Sequence, residues 1–264
     1  MTQELKFAIH LAKTASETLL EGFNIFQKNP QDYHISQVTN MDLASEKTII
    51  GLIKKKYPSH KIISEECGII EGASDYIWII DPLDGTKYYS AGIKLCNVLI
   101  SLWKGGTPLV GVVYMPFTGD IYWAEKGGGA FFNKKKILVS HIKNLKESAV
   151  FVEAAKSNLL NKKELHLAGK RLGAVLEICY RLRGVSLGPL PLCYIAQGIA
   201  DAFIDLTGRG GIWDLAPGFV IAKEAGARIT GLDGKFHGQD MSCNIVVTNG
   251  KIHTEFLKLL NSVR

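Results

Sequence analysis

Residues 78–86 read Trp-Ile-Ile-Asp-Pro-Leu-Asp-Gly-Thr. Trp78, Ile79 and Ile80 are apolar β-formers, as a buried strand requires. Pro82 cannot donate to a sheet ladder, so the strand is expected to end near Asp81. Asp84-Gly85 marks a turn, and Thr86 is placed to cap a helix that begins there. Two carboxylates three residues apart at the mouth of a strand–turn–helix need a counter-charge, for left alone at close range one of them has its pKa raised and partly protonates. A hard divalent cation such as Mg²⁺ satisfies both, because it takes oxygen ligands. The adjoining helix start, with N–H groups at Gly85, Thr86 and Lys87, favours an anion. Metal beside phosphate is one reading. Plain turn chemistry, with each Asp bonding its own backbone, is the other.

Working outward, 264 residues with 47% hydrophobic content can bury a large core as one large or two closely packed domains. The net charge of +6 is spread along the chain. Lys54–Lys56 and Lys134–Lys136 read as solvated surface, and no RNA- or DNA-binding signature accompanies them. An anionic small molecule suits this balance. The five cysteines (Cys67, Cys96, Cys179, Cys193, Cys243) are scattered without a CxxC pair. They argue against a disulfide framework or zinc site and for a reducing cytoplasm. The first residues, MTQELKFAIH, lack a signal-peptide pattern, and no run approaches the ~18–20 apolar residues of a membrane span.

Along the chain, Leu5, Ile9, Ala12, Leu19, Leu20 and Phe23 give a helix from Glu4 to about Phe26. Gln27 to Thr39 reads as a polar loop. A second helix follows from Asp42 to Lys56, with Leu43, Ile49, Ile50, Leu52 and Ile53 as its apolar side, and Tyr57-Pro58 ends it. Strands are expected at Lys61–Ser64, Val98–Trp103, Leu109–Met115, Ile121–Glu125 and Ala130–Phe132. Val139 to Lys146 is polar and suits a junction between an α+β part, 1–145, and an α/β part, 146–264. The second part alternates: strand Ala149–Glu153, helix Lys162–Gly173, strand near Leu176–Tyr180, helix Pro191–Gly198, strand Ala202–Leu206, helix Asp214–Ala225, strand Cys243–Thr248, helix Ile252–Val263.

Carboxylates stand at the ends of several of these elements: Asp42, Glu65 with Glu66, Asp81 with Asp84, and Asp214. Asp214, at a helix start beside a glycine-rich turn, reads by itself as an N-cap. If the strand continues, Glu66 points opposite to Glu65. His60, His141, His166, His237 and His253 lack metal-ligand spacing and read as surface residues. Trp103, Trp123, Phe131 and Phe132 read as core.

WIIDPLDGT, the ISEE run at Ile63–Glu66 and WDLAPG at Trp213–Gly218 resemble the three motifs of the inositol monophosphatase family. VTNMD at Val38–Asp42 and KYPSHKIISEE at Lys56–Glu66 extend the resemblance, which spans nearly the whole chain in order. The resemblance implies a layered α-β-α-β-α sandwich of the inositol monophosphatase / fructose-1,6-bisphosphatase type, in an α+β / α/β class, usually as a homodimer. It implies a Mg²⁺-dependent, Li⁺-sensitive phosphatase of small phosphorylated metabolites. Glu65, Asp81 and the Leu83 carbonyl would bind a first Mg²⁺, and Asp81, Asp84 and Asp214 a second. A third ion would lean on Glu65. Asp42 and Thr86 would orient the attacking water, while N–H groups at Gly85 and Thr86 would hold the phosphate.

Three departures from the family pattern bear on the substrate. Thr86-Lys87-Tyr88-Tyr89 replaces Thr-x-Asn-Phe, and Lys87 is more like the branch acting on 3′-phosphoadenosine 5′-phosphate. Arg183–Gly188, with Ser186 as the expected substrate contact, replaces a Gly-Thr-Ala-like run. Pro217 stands where a small residue is usual, tolerable in a helix's first turn. Asp205 falls where the inositol branch has an acid that bonds substrate hydroxyls, and a carboxylate repels a second phosphate. The expected substrate is therefore inositol 1-phosphate. The alternatives are a 3′(2′),5′-bisphosphate nucleotide, fructose 1,6-bisphosphate, or a catalytically idle regulatory role.

Overall fold

In the computed structural model the described residues are 1–28, 35–153, 160–185, 187–206, 208, 210–238 and 244–263. Ser186 and Cys243 lie outside them. Two sheets carry the architecture. The first has eight strands: β1 (Lys61–Ser64), β2 (Gly68–Ile70), β3 (Tyr76–Asp84), β4 (Asn97–Lys104), β5 (Thr107–Met115), β6 (Asp120–Glu125), β7 (Gly129–Phe132) and β8 (Lys135–Ile137), in spatial order β2-β1-β3-β4-β5-β6-β7-β8. The second has five: β9 (Ala149–Glu153), β10 (Arg181–Gly184), β11 (Ala202–Asp205), β12 (Arg228–Gly231) and β13 (Ile245–Thr248), ordered β10-β9-β11-β13-β12.

Side chains alternate across a strand, so covering both faces requires a helix layer on each side. In β3, Trp78 and Ile80 join a core with α1 (Gln3–Lys28) and α2 (Ile35–Lys56), while Ile79 faces the opposite way. There Ile79 and Trp103 meet α5 (Leu190–Ala196) and α6 (Ile212–Glu224), together with Phe151, Phe203 and Val247 of the second sheet. The far face of that sheet packs through Val150, Ile204 and Val246 on α4 (Lys162–Ile178) and α7 (His253–Ser262). The result is the layered α-β-α-β-α sandwich. Glycine lets the central layers approach: a Cβ at Gly111 of β5 would sit 2.4 Å from the Pro217 carbonyl of α6.

Several expectations are corrected. β3 does not stop at Asp81. It runs on to Asp84 through a register shift, with Asp81 opposite Leu99 and Asp84 opposite Asn97. Such a bulge takes Pro82 out of the ladder, so its missing donor is harmless. The strand expected at 176–180 is helix to Ile178, because a capping box between Asn161 and Glu164 starts α4 firmly and Leu176 and Glu177 are good helix formers. The strand itself is Arg181–Gly184. α2 begins at Ile35, inside the expected loop. Leu43 is exposed rather than buried. Pro217 is the sixth residue of α6, beyond its first turn. His253 is fully buried between β12 and β13, its ring nitrogens 3.0 Å from the Thr230 and Thr248 hydroxyls. Trp103 is core, whereas Trp123 is half-buried with its ring stacked on Phe131.

Candidate active site

The acidic residues come from four elements. Asp42 lies on α2, Glu65 in the turn after β1, Asp81 and Asp84 on the bulged end of β3, and Asp214 in the first turn of α6. Carboxylate oxygens of Glu65, Asp81 and Asp214 lie within 4.8 Å of one another. Asp214 also accepts a 2.8 Å hydrogen bond from Gly211 N–H, as the third residue of its helix and not as the N-cap.

Asp81 and Asp84 differ in how they are held. Asp81 Oδ1 accepts from Leu83 N–H at 2.9 Å, the local turn bond that the Asp-Pro-x-Asp pattern allows. Asp84 instead reaches across the fold, accepting from Asn97 Nδ2 at 2.8 Å and from Gly188 N–H at 3.1 Å. Asn97 is fully buried and its Oδ1 has no hydrogen-bond partner. Thr86 opens α3 (Thr86–Ser90), but the N-cap is Gly85, at φ 91°, with no side-chain cap bond. The Thr86 hydroxyl donates to the Leu83 carbonyl at 3.0 Å.

Burial first, and then mutual repulsion, lift the carboxyl groups above their usual range. Asp81 is raised well up by burial, Asp84, Glu65 and Asp214. Asp84 is raised to about 7, burial outweighing the Asn97 and Gly188 hydrogen bonds. Asp42 rises to about 8 through burial and the charges of Glu66, Glu65 and Glu46. Glu66 thus acts on Asp42. It sits with Glu65 in a turn, where strand alternation does not apply. An all-oxygen set of crowded carboxylates, Asp81 and Asp84 buried and Glu65 exposed, fits a hard divalent cation, whose charge offsets their mutual repulsion.

Asp205 is buried at the end of β11, beside Glu153 in the parallel register of β9. Lys87 is exposed on α3. Two buried groups escaped the sequence reading, Glu46 and Asn97. The signal for Glu46 was present: the buried stripe of α2 is Asp42, Ser45, Glu46, Ile49 and Ile53, helical spacing with polar residues where apolar ones belong. Nothing in the sequence marks Asn97.

The whole chain, residues 1–264, matches the model of the inositol monophosphatase family. It is 32% identical to a fructose-1,6-bisphosphatase/inositol-1-monophosphatase of Aquifex aeolicus, covering 97% of this chain and 96% of the relative. It is 31% identical to the Nus factor SuhB of Pasteurella multocida, over 97% and 95%. The inositol monophosphatase from Anabaena superposes with a TM-score of 0.85 at 28% identity, covering 98% of this chain and 96% of that one. This chain belongs to the inositol monophosphatase family and is a phosphoric monoester hydrolase.

Proposed function

We propose that the enzyme hydrolyses inositol 1-phosphate with two or three Mg²⁺ ions, and that its activity is sensitive to Li⁺. The observation that carries the metal reading is the convergence of Glu65, Asp81 and Asp214 oxygens within 4.8 Å. Glu65, Asp81, Asp84 and Asp214, with the Leu83 carbonyl, would hold the ions. When bound, they supply a lowered water pKa and charge neutralisation at the leaving oxygen.

The chain's own groups do the rest. The Thr86 hydroxyl donates its hydrogen bond to the Leu83 carbonyl, which leaves the hydroxyl oxygen free to accept a hydrogen bond from a water. Asp42, on α2, would orient the same water on the other side. The N–H groups of Gly85 and Thr86, at the opening of α3, would hold the phosphate. Asp205, and Ser186 outside the described residues, would contact the rest of the substrate. A buried carboxylate at Asp205 suits the hydroxyls of a polyol and disfavours a second phosphate.

Parts 1–145 and 146–264 both contribute to this site. Exposed Leu165, Leu176 and Tyr180 support a homodimer. Among the described residues no helix is long and apolar enough to cross a membrane. An idle regulatory role, which the name of the SuhB relative raises, has no use for a repulsive acidic cluster.

The test is phosphate release from inositol 1-phosphate, fructose 1,6-bisphosphate and 3′-phosphoadenosine 5′-phosphate, with Mg²⁺ and with or without Li⁺. Preference for inositol 1-phosphate supports the reading. Preference for either bisphosphate overturns the substrate, and no release from any overturns catalysis.

A further inference from the structure

Asp42, Ser45 and Glu46 are buried on one face of α2, and only Asp42 takes part in the chemistry proposed above. Glu46 Oε1 accepts two hydrogen bonds, one from the Ser64 hydroxyl and one from Cys67 N–H at 3.0 Å. These donors bracket Glu65 and Glu66, in the turn that joins β1 to β2. The adjacent Ser45 hydroxyl donates to the Pro82 carbonyl at 3.2 Å, between Asp81 and Leu83. Consecutive residues of one helix therefore grip two of the three chain segments that bring carboxylates to the cluster, the third being the start of α6.

Stability alone does not explain Glu46. A buried carboxylate beside Asp42 carries a desolvation penalty that an apolar side chain in the same stripe would avoid. The backbone of the turn it grips is closed by the Ser64–Gly68 pair of the β1–β2 hairpin, but its side chains stand at the surface. Glu65, Glu66 and Cys67 are exposed, and β2 is a three-residue strand at the sheet edge. A short edge hairpin of this kind holds a side chain to ligand precision only when it is anchored to the body of the fold, and Glu46 of α2 supplies that anchor.

We propose that Glu46 is a positioning residue for Glu65: it clasps the turn on both sides and so holds the Glu65 carboxylate against Asp81 and Asp214. This rests on the metal reading of Glu65. Ser45 acts in the same way on Asp81 through the Pro82 carbonyl.

The experiment compares wild type, Glu46→Ala, Glu46→Gln and Ser64→Ala in two measurements. Hydrogen exchange at the Cys67 amide, without metal, reads the clasp directly. The Mg²⁺ concentration for half-maximal phosphate release, together with the Mg²⁺-induced rise in Tm, reads its consequence. Glu46→Ala is expected to expose the Cys67 amide and to raise the Mg²⁺ midpoint about 10–100-fold, as loss of a group that orients a metal ligand does. The KM at saturating Mg²⁺ stays near wild type. Glu46→Gln keeps an acceptor oxygen and restores both readings.

A wild-type Mg²⁺ midpoint in Glu46→Ala, with the Cys67 amide exposed, overturns the proposal. So does a Glu46→Gln protein as impaired as Glu46→Ala. If Glu46→Ala does not fold, Ser64→Ala decides: a raised midpoint supports the clasp and an unchanged one overturns it. A wild-type protein indifferent to Mg²⁺ overturns the metal reading, and is told apart from failure of the clasp by the Cys67 amide.

Discussion

Asp84 Oδ1 accepts a 3.1 Å hydrogen bond from the backbone N–H of Gly188, 104 residues further along the chain. The end of β3 is thereby tied to the segment entering α5, and Gly188 has no room for a side chain. A Cβ there would stand 2.4 Å from the Asp214 carbonyl oxygen. Gly188→Ala must therefore displace either the donor to Asp84 or the start of α6. The expected outcome is a loss of about 1–3 kcal/mol in denaturant unfolding and a raised Mg²⁺ midpoint. Unchanged stability and midpoint would show that the contact is dispensable.

Gly85 answers to the same test by a different route. Its φ of 91° favours glycine, and a Cβ would meet Leu187 Cδ2 at 2.5 Å and the Leu95 carbonyl at 3.1 Å. Gly85→Ala is expected to lose about 1–3 kcal/mol and most of its turnover, because the amides at the start of α3 move. Thermal melts and phosphate release check it.

The carboxyl groups couple metal binding to protons. Asp42 at about 8, Asp84 at about 7 and the raised Asp81 bind protons in the folded, metal-free protein to higher pH than in the unfolded chain, where such groups titrate near 3.8. Metal-free stability therefore falls as pH rises from about 4 to 8, by up to about 1.4 kcal/mol per pH unit for each group. Mg²⁺ must displace those protons, so its affinity increases over the upper part of the same range. Calorimetry in buffers of different ionisation enthalpy is expected to show proton release, and the Mg²⁺-induced rise in Tm to be larger at pH 8 than at pH 6. A pH-independent affinity would contradict this.

His253 works in the opposite sense. Burial, with Arg228 adding, lowers its pKa from 6.5 to about 4. The Thr230 hydroxyl already donates to the Gly231 carbonyl, so Nε2 is the nitrogen that donates to Thr230, and burial keeps the imidazole neutral at pH 7. The unfolded chain takes up a proton below pH 6.5, and the folded one does not until about 4. Stability from this group is intact above 6.5 and declines by about 2 kcal/mol on going to pH 5. Denaturant unfolding at pH 7 and pH 5 is expected to show this component in the wild type and not in His253→Asn.

Periodicity made the layers legible. Trp78, Ile79 and Ile80 are a strand buried on both faces, and the hairpins through β4, β5 and β6 follow apolar runs broken by glycine. What escaped was decided at long range. Pro82 stays within β3 because a bulge removes it from the ladder, and α4 runs through Leu176 because its capping box sets the helix early. His253, at the start of α7, is buried because threonines of β12 and β13 satisfy its nitrogens. In the site, the acidic motif residues could be read locally. The partners of Asp84, Asn97 and Gly188, could not, since the pairing of β4 and the course of the segment entering α5 place them.

Phosphate release by Asp81→Asn across a Mg²⁺ titration, beside its metal-free Tm, probes the gathered oxygen ligands most directly. Asp81 is buried against Asp84, Glu65 and Asp214, so neutralising it relieves repulsion. The expected result is a metal-free Tm at or above wild type with turnover reduced by about 10³-fold. Wild-type Mg²⁺-dependent hydrolysis in a folded Asp81→Asn protein would contradict it.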